Sequence, residues 1–241
     1  MTEPFPRDDW YAVAGAAGLA SGAVMRACLF GEERVLWRDR GGRAHLWSNR
    51  CIHRGMRLHY GFVDGDRLAC RYHGWRFGEH GACTRIPAHP DMTPPDDFRI
   101  PEYPLREAAG LLWASVGERR PDASDPAAAV GLAGFVFGRT VSLAVDAVAA
   151  DDALRRSRTD RGESVAVSVH PDGMRVLSDD GGLAALAVAL QPVESGRSQL
   201  HVLVRAEPGD AAARQRAAAW GVRFRWFAEN GMPADMSWGQ A

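Results

Sequence analysis

The sequence contains no lysine, so all 29 of its basic residues are arginines. Chemistry that needs an amine side chain, such as a P-loop phosphate site, a Schiff base or a lysine general base, is therefore excluded. Net charge is also almost absent, at −1 overall, which gives no support for binding to nucleic acid or to acidic lipid.

Long hydrophobic runs are missing as well. The small, apolar stretch at 12–20 lacks the basic leader of a signal peptide, and the uncharged stretch at 181–193 is too short to cross a bilayer. We therefore expect a cytoplasmic protein without membrane or nucleic-acid partners. In that compartment its four cysteines (Cys28, Cys51, Cys70 and Cys83) stay reduced, which favours metal or catalytic roles over disulfides.

The chain is 241 residues long and 46% apolar, enough for two globular domains. Residues 1–117 contain short apolar runs separated by glycine-bearing turns, a pattern typical of small antiparallel sheets. Residues 118–131 are charged, small or proline and predict a linker. Residues 132–241 mix predicted strands and helices, so the predicted fold class is mostly β, of the α+β type.

In the second predicted domain, a helix is expected over 141–156, and strands over 164–170, 173–177, 183–193 and 198–206. A last helix is predicted to begin after Pro208-Gly-Asp and to end near Glu229, with Asp210 as its N-cap.

The most informative pattern is Cys51-Ile-His53, followed after sixteen residues by Cys70-Arg-Tyr-His73. Two cysteines and two histidines suit either a tetrahedral zinc ion or a Rieske-type [2Fe–2S] cluster. Zinc fingers carry both cysteines in one knuckle and both histidines on one helix. Here each loop carries one of each, which favours a cluster with both thiolates on one iron and both imidazoles on the other.

The stretch CIHRG…CRYHGWRFGEHGACTRIP resembles the Rieske domain of ring-hydroxylating and demethylating non-haem iron oxygenases. The opening Phe5-Pro-Arg-Asp-Asp-Trp-Tyr is similar to the start of vanillate-demethylase-like oxygenase subunits, and Gly110-Leu-Leu-Trp resembles the strand that closes their Rieske domain. The resemblance covers 5–117 well and the rest weakly. Respiratory Rieske proteins have an extra cysteine in each loop, which this sequence lacks.

The resemblance implies a [2Fe–2S] cluster with Cys51 and Cys70 on the buried iron and His53 and His73 on the outer iron. It also implies a surrounding set of residues that turn the loops, donate backbone hydrogen bonds to the sulfides or shield the cluster: Arg54, Gly55, Tyr72, Gly74 and Trp75. The second domain is then expected to be a shortened, helix-grip-like catalytic domain.

In that family a mononuclear iron is held by two histidines and a carboxylate, in the pattern Asp/Glu-x2-His-x3–4-His. The best match here begins at Asp151, but Leu154 and Thr159 (or Arg158) occupy the histidine positions. We therefore expect the mononuclear iron to be absent. Asp151 is then expected to act, at most, as an acid that accepts a hydrogen bond from a partner subunit's histidine during electron transfer.

An alternative iron site remains open. His170 and His201 are the only histidines after His89, and they lie on separate predicted strands. If these strands are neighbours, the two imidazoles together with an aspartate or Glu229 form an atypical triad.

Residues 50–76 carry a local excess of four positive charges, from six arginines and two aspartates. A basic rim beside an exposed histidine-bound iron suits an acidic electron donor, a ferredoxin or flavin reductase. The resemblance also implies a homotrimer, or a mixed trimer with a full-length oxygenase subunit. The six arginines are Arg50, Arg54, Arg57, Arg67, Arg71 and Arg76.

Three functions fit these observations. The first is one-electron transfer as an auxiliary component without its own mononuclear iron. The second is a Rieske monooxygenase or demethylase whose iron site is atypical or completed across a subunit interface. The third is a redox or ligand sensor.

Overall fold

The computed structural model describes residues 5–118, 132–156, 166–169, 174–178 and 184–231. These residues contain two α-helices, α1 (Ala147–Arg156) and α2 (Ala211–Asn230), and sixteen strands. The strands are β1 (Tyr11–Gly15), β2 (Val24–Leu29), β3 (Glu32–Arg38), β4 (Ala44–Ser48), β5 (Phe62–Asp64), β6 (Arg67–Ala69), β7 (Arg76–Phe77), β8 (Cys83–Arg85), β9 (Glu102–Tyr103), β10 (Leu105–Ala108), β11 (Leu111–Ala114), β12 (Phe135–Leu143), β13 (Ala166–Val169), β14 (Met174–Ser178), β15 (Ala184–Glu194) and β16 (Arg197–Arg205).

Strand pairing is antiparallel in all four sheets, for example between β3 and β4 and between β15 and β16. The predicted α+β class, rich in antiparallel sheet, is confirmed.

Two compact units divide the chain. The loop unit comprises Ala16–Cys28 and Glu32–Arg106; the sheet unit comprises Met1–Gly15, Leu29–Gly31 and Glu107–Ala241. This grouping places residues 1–15 and 107–117 in the sheet unit, whereas the sequence predicted one domain over 1–117. The reason is packing, because β1 and β11 pair with each other and their residues Ala12 and Trp113 share a buried core with Leu203 of β16. The predicted 118–131 linker lies outside the described residues except for Glu118, and its boundaries stay a prediction.

The loop unit consists of two four-stranded sheets, in the orders β2-β3-β4-β9 and β5-β6-β7-β8. The β3–β4 hairpin closes at the predicted turn, where Asp39 Oδ1 accepts a hydrogen bond from the Arg43 N–H at 2.9 Å. Apolar side chains from both sheets and their loops form one core: Val35, Trp37, Trp47, Cys51, Leu58, Val63, Leu68, Cys70, Phe77, Cys83, Ile86 and Ile100. Two of the four predicted ligands therefore lie in the core itself.

The sheet unit contains a three-stranded sheet, β1-β11-β10, and a five-stranded sheet, β12-β16-β15-β14-β13. Helix α2 packs on β12 and β16. A small-residue contact allows this close approach, since a Cβ atom added at Gly221 lies only 2.9 Å from Val141 Cγ2 and one added at Gly138 only 3.0 Å from Ala217 Cβ.

The helix predicted over 141–156 is wrong at its start. Residues 141–143 continue β12, where Leu143 pairs with Ser198, and α1 begins at Ala147. Asp146 sets that start, because its Oδ1 accepts the Ala149 N–H at 2.8 Å. The Asp210 cap of α2 is confirmed, with Oδ1 2.9 Å from the Ala213 N–H. Within the described residues, no helix is both long and apolar enough to span a membrane.

Candidate metal centre

The first loop, residues 51–56, joins β4 to the short turn before β5. The Cys51 N–H donates to the Met56 carbonyl at 2.8 Å, and the Gly55 N–H donates back to the Cys51 carbonyl at 2.8 Å. Gly55 closes the loop with φ +68°, in the left-handed region that favours glycine.

The second loop, residues 70–75, repeats this hydrogen-bond pattern between β6 and β7. The Cys70 N–H donates to the Trp75 carbonyl at 2.8 Å, and the Gly74 N–H donates to the Cys70 carbonyl at 3.0 Å. Gly74 has φ +69°, almost the same value as the first loop's glycine. Each motif therefore encodes the same turn, with glycine four residues after the cysteine, and the histidine placed third in one loop and fourth in the other.

Asn49 holds the base of the first loop. Its carbonyl accepts the Leu58 N–H at 3.1 Å, and its Oδ1 accepts the His59 N–H at 2.9 Å. Its Nδ2 donates to His59 Nδ1 at 2.7 Å. A buried amide thus ties the chain before the loop to the chain after it, which fixes where Cys51 emerges.

The two cysteine thiols lie together in the core, 3% and 2% exposed. A hydrogen bond between them raises the pKa of Cys51 and lowers that of Cys70. Each sulfur also receives backbone N–H groups, from His53 and Arg54 on Cys51 and from Tyr72 and His73 on Cys70, which favour thiolate. Backbone N–H groups thus favour negative charge at both sulfurs, burial opposes it, and the net pKa shift favours the thiolate at Cys70.

The two imidazoles lie outside the core and beside each other, with ring centroids 4.7 Å apart and ring planes at 63°. Among the described residues, neither ring has a hydrogen-bond partner. Desolvation, then His73 and Arg54, lowers the pKa of His53, which favours its neutral form. Neutral imidazole is the form that binds metals.

Aromatic rings flank both imidazoles. Trp75 stacks on His53 at 4.6 Å with only 7° between the planes. Tyr72 contacts His73 at 3.8 Å and a tilt of 35°, and is itself 58% exposed. Trp75 is partly buried against the core, so the two predicted shielding residues differ in packing.

The donor set fits a [2Fe–2S] cluster of the Rieske type. It offers a buried thiol pair and a separate, outward imidazole pair, the arrangement that a two-iron centre with different ligands on each iron requires. In the part of the chain that the structure describes, no three His, Cys, Asp or Glu side chains gather around a point that would hold a single ion. The four predicted ligand residues stand as two pairs.

Residues 9–104 match the family model described as "Rieske [2Fe-2S] domain". This segment is a Rieske [2Fe–2S] domain. The predicted resemblance is confirmed for it, and Rieske domains hold a [2Fe–2S] cluster.

Curated relatives of this Rieske domain include oxygenase components. The chain is 40% identical over 112 residues to the oxidoreductase NdmD of Pseudomonas putida, covering 46% of this chain and 19% of NdmD. It is 38% identical over 112 residues to the 5,5'-dehydrodivanillate O-demethylase oxygenase subunit of Sphingobium sp., covering 45% of this chain and 26% of that subunit. The chain therefore matches about a fifth to a quarter of the length of these relatives.

Solved structures extend the likeness of fold beyond the Rieske domain. NdmA of Pseudomonas putida CBB5 with caffeine superposes with a TM-score of 0.72 at 17% identity, covering 98% of this chain and 85% of that one. The sheet unit therefore shares its fold with Rieske oxygenases.

In the sheet unit, the structure describes four of the predicted second-site residues: Asp151, Leu154, His201 and Glu229. Asp151 on α1 is 14% exposed, and its Oδ1 accepts from Arg175 Nε at 2.5 Å while its Oδ2 accepts from Arg155 at 3.1 Å. Leu154 is fully buried. His170, Arg158 and Thr159 lie outside the described residues.

His201 is fully buried in β16, which lies between β12 and β15 in the sheet. Its Nε2 lies in hydrogen-bond contact with Gln191 Oε1 at 2.9 Å and its Nδ1 with the Thr140 hydroxyl at 2.8 Å, and the ring also hydrogen-bonds to the Ala12 backbone. Burial lowers the pKa of His201 to about 4, so the ring is neutral. Glu229, the predicted alternative carboxylate, instead accepts the Ala144 N–H at 2.8 Å.

Sequence reasoning missed Asn49, Phe98 and Arg175. Asn49 is one of two asparagines and directly precedes the Arg50-Cys51 step, which is the signal that points to a loop-closing amide. Phe98 stacks on Trp75 at 5.7 Å from within a proline-rich segment, and Arg175 pairs with a residue 24 positions earlier. Neither contact has a local sequence signal.

Proposed function

We propose that this chain is a one-electron carrier of the Rieske oxygenase type, which acts as an electron-transfer or auxiliary component without a mononuclear iron of its own. The observation that carries the proposal is the pairing of Cys51 with Cys70 in the core and of His53 with His73 outside it. A bound [2Fe–2S] cluster supplies a one-electron redox centre to this pocket.

In this proposal Cys51 and Cys70 hold the inner iron, and the backbone N–H groups around their sulfurs stabilise negative charge there. His53 and His73 hold the outer iron and present the centre to a partner. Neither ring has a hydrogen-bond partner among the described residues, so in this proposal one nitrogen of each ring binds iron and the other stays available to a redox partner.

Two features of the sheet unit support the lack of a second iron. The Asp151 carboxylate already forms ion pairs with the guanidinium groups of Arg175 and Arg155, which compensate its negative charge. His201 uses both ring nitrogens on Gln191 and Thr140. Freeing either group for a metal requires breaking buried hydrogen bonds.

The predicted role of Asp151 toward a partner's histidine gains no support from this geometry, and it stays a prediction. Arg175 is 5% exposed in its side chain, so this ion pair is largely shielded from solvent.

The surface beside the imidazoles favours an acidic electron donor, a ferredoxin or flavin reductase. Three of the six arginines of 50–76 pair with carboxylates: Arg57 with Glu33, Arg67 with Asp66, and Arg76 with Asp64. Arg54 and Arg71, adjacent to the ligand positions, are exposed.

Exposed apolar groups complete this surface, since Ile52 is 40% and Tyr72 58% exposed. An apolar centre with a cationic rim suits a transient redox complex. In the proposal one electron passes from the donor to this chain and then to an acceptor, an oxygenase subunit that carries mononuclear iron.

The test is iron and acid-labile sulfide per chain, together with EPR of the dithionite-reduced protein. We expect about two irons and about two sulfides per chain, and a g-average below that of all-cysteine clusters. Cys70→Ser should abolish both the sulfide and the signal. Cys83→Ser is the matched control, because Cys83 is buried in the same core but outside both loops, and it should keep them.

A third iron per chain, bound at a mononuclear non-haem site, would contradict the proposal, and zinc in place of iron would overturn the cluster itself. The second candidate, an oxygenase with an atypical or interface-completed iron, is favoured by the fold likeness over the sheet unit. Product formation from aromatic or methylated substrates with a reductase alone would establish it.

A further inference from the structure

The His53–Trp75 stack joins the two loops through side chains. His53 belongs to the first loop and Trp75 to the second, yet their ring centroids are 4.6 Å apart and their planes differ by only 7°. Among the described residues the His53 ring contacts two aromatic rings, those of Trp75 and His73. With no hydrogen bond to fix its rotation, the plane of the imidazole is set by packing.

Trp75 itself is held firmly. Its carbonyl accepts the Cys70 N–H at 2.8 Å, so its backbone is part of the second cysteine turn. Its indole lies 5.7 Å from the Phe98 ring at 19° and 6.5 Å from the Phe77 ring at 37°. Phe98 is fixed in turn, because its carbonyl accepts the Cys83 N–H at 2.7 Å.

The other imidazole has no equivalent support. Tyr72 contacts His73 at a tilt of 35°, and more than half of the Tyr72 side chain faces solvent. A coplanar, partly buried indole constrains its neighbour more strongly than a tilted, exposed phenol. The two imidazoles are therefore oriented unequally, and His53 is the constrained one.

We propose that Trp75 is a positioning residue that fixes the plane of the His53 imidazole and, through that ring, lowers the reduction potential and sets the g-values of the Rieske centre. This rests on the proposed function, since it requires His53 to be an iron ligand.

Two effects predict that Trp75 lowers the reduction potential, and both act in the same direction. The face of an indole carries partial negative charge, which stabilises positive charge on a stacked imidazole and thus favours the oxidised centre. The indole also excludes water from the ring, and water favours the reduced centre, which carries one more negative charge. Removing the indole should therefore raise the reduction potential.

The test compares variants of the full chain in the cluster-loaded state. Trp75→Leu and Trp75→Met remove the planar face, whereas Trp75→Phe keeps an aromatic ring. Phe98→Leu is the matched control, because Phe98 packs on Trp75 and has no ring contact with His53. The readouts are the midpoint potential from a spectroscopic redox titration and the EPR g-values, with iron and sulfide content measured on each sample.

We expect the Leu and Met variants to keep the cluster, to show a raised potential and to have shifted or broadened g-values. The Phe variant should remain close to the wild type, and Phe98→Leu, which removes one support of the indole but keeps the indole on His53, should shift the potential less than the Leu and Met variants do. Unchanged potential and spectrum in Trp75→Leu and Trp75→Met would overturn the proposal, as would an equal shift in Phe98→Leu.

Loss of the cluster from all three Trp75 variants would also overturn it, because the indole would then serve assembly rather than ring orientation. These failures are distinct from that of the proposed function, which fails if the wild-type chain holds no [2Fe–2S] cluster.

Discussion

The two loops and the five-stranded sheet present the same side chain in opposite environments. His53 and His73 lie outside the core of the loop unit and have no hydrogen-bond partner among the described residues. His201 is completely buried in the sheet unit, and both of its ring nitrogens are hydrogen-bonded. The ring nitrogens of His201 are therefore already engaged within the fold, whereas those of His53 and His73 remain available to a metal.

This difference shows that the number of histidines is a poor guide to metal sites. A better guide is whether an imidazole has a ring nitrogen that is not already hydrogen-bonded. An imidazole with two internal hydrogen bonds has already used its donor and its acceptor. An imidazole held only by ring packing keeps both. The loop unit therefore has the features of a ligand pair, whereas His201 has those of a polar residue that fixes strand register.

The largest expected effect separates these roles completely. His73→Ala should remove the cluster, so that iron falls from about two per chain to near zero, because an iron loses one of its two imidazoles. His201→Leu should keep the iron but lower the free energy of unfolding by about 2–4 kcal/mol, since Thr140 and Gln191 lose their buried partner. Iron content and urea denaturation measured on both variants check the pair.

The contrast between His73 and His201 is wrong if either variant shows the result expected of the other. Loss of iron in His201→Leu, with the fold intact by circular dichroism, would make His201 a ligand and revive the alternative iron site. Full iron content in His73→Ala would remove His73 from the proposed ligand set.

The loop unit could be predicted from sequence further than the sheet unit, and the reason is the range of the contacts. Each cysteine turn is closed by hydrogen bonds within six residues. The spacing of Cys51 to Gly55 and of Cys70 to Gly74 is therefore enough to predict the turn. The strands β13–β16 and the Asp210 cap of α2 are likewise local patterns. Such features need no knowledge of the rest of the fold.

Contacts between distant residues could not be predicted in this way. Asp151 of helix α1 occupies the acidic position of the metal-site pattern, but its partner Arg175 comes from strand β14. Trp75 stacks on His53 from the other loop, and no local sequence pattern predicts a contact between two loops that are far apart in the chain. The helix predicted from Val141 failed for the same reason, because pairing with β16 outweighs local helix propensity there.

The next effect in size concerns acid stability. The ordinary pKa of histidine is 6.5, and burial lowers that of His201 to about 4. The unfolded chain therefore binds this proton first as pH falls, and stability decreases between about pH 6.5 and pH 4. The loss is about 3 kcal/mol for a shift of this size in a fully buried group. Urea denaturation of the cluster-loaded protein between about pH 6.5 and pH 4 measures this loss of stability.

His201→Gln is the control for this pH dependence, because glutamine keeps polar atoms but does not titrate. Subtracting the pH profile of this variant from that of the wild type leaves the contribution of His201 alone. It removes the contribution of His59, because burial lowers the pKa of that histidine as well. Glu102 acts mainly below this range: the His45, His80 and Trp47 side chains lower its pKa from 4.5 to about 2, so the stability that it contributes is lost between about pH 4.5 and pH 2. Parallel wild-type and variant profiles between pH 6.5 and pH 4 would show that His201 bears no acid penalty.

The smallest expected effect compares the two loops with each other. Gly55 and Gly74 have nearly equal positive φ angles, so alanine at either position should cost about 1–2 kcal/mol of stability from backbone strain. Only Gly74 meets a neighbour, because an added Cβ lies 3.1 Å from Pro87 Cγ, while the space at Gly55 is open. Gly74→Ala should thus be the more destabilising in urea denaturation, and Gly18→Ala, in open space without positive φ, should change little. Equal losses at the two loop glycines would show that Pro87 yields to the added methyl group, and that backbone strain alone distinguishes the loops from Gly18.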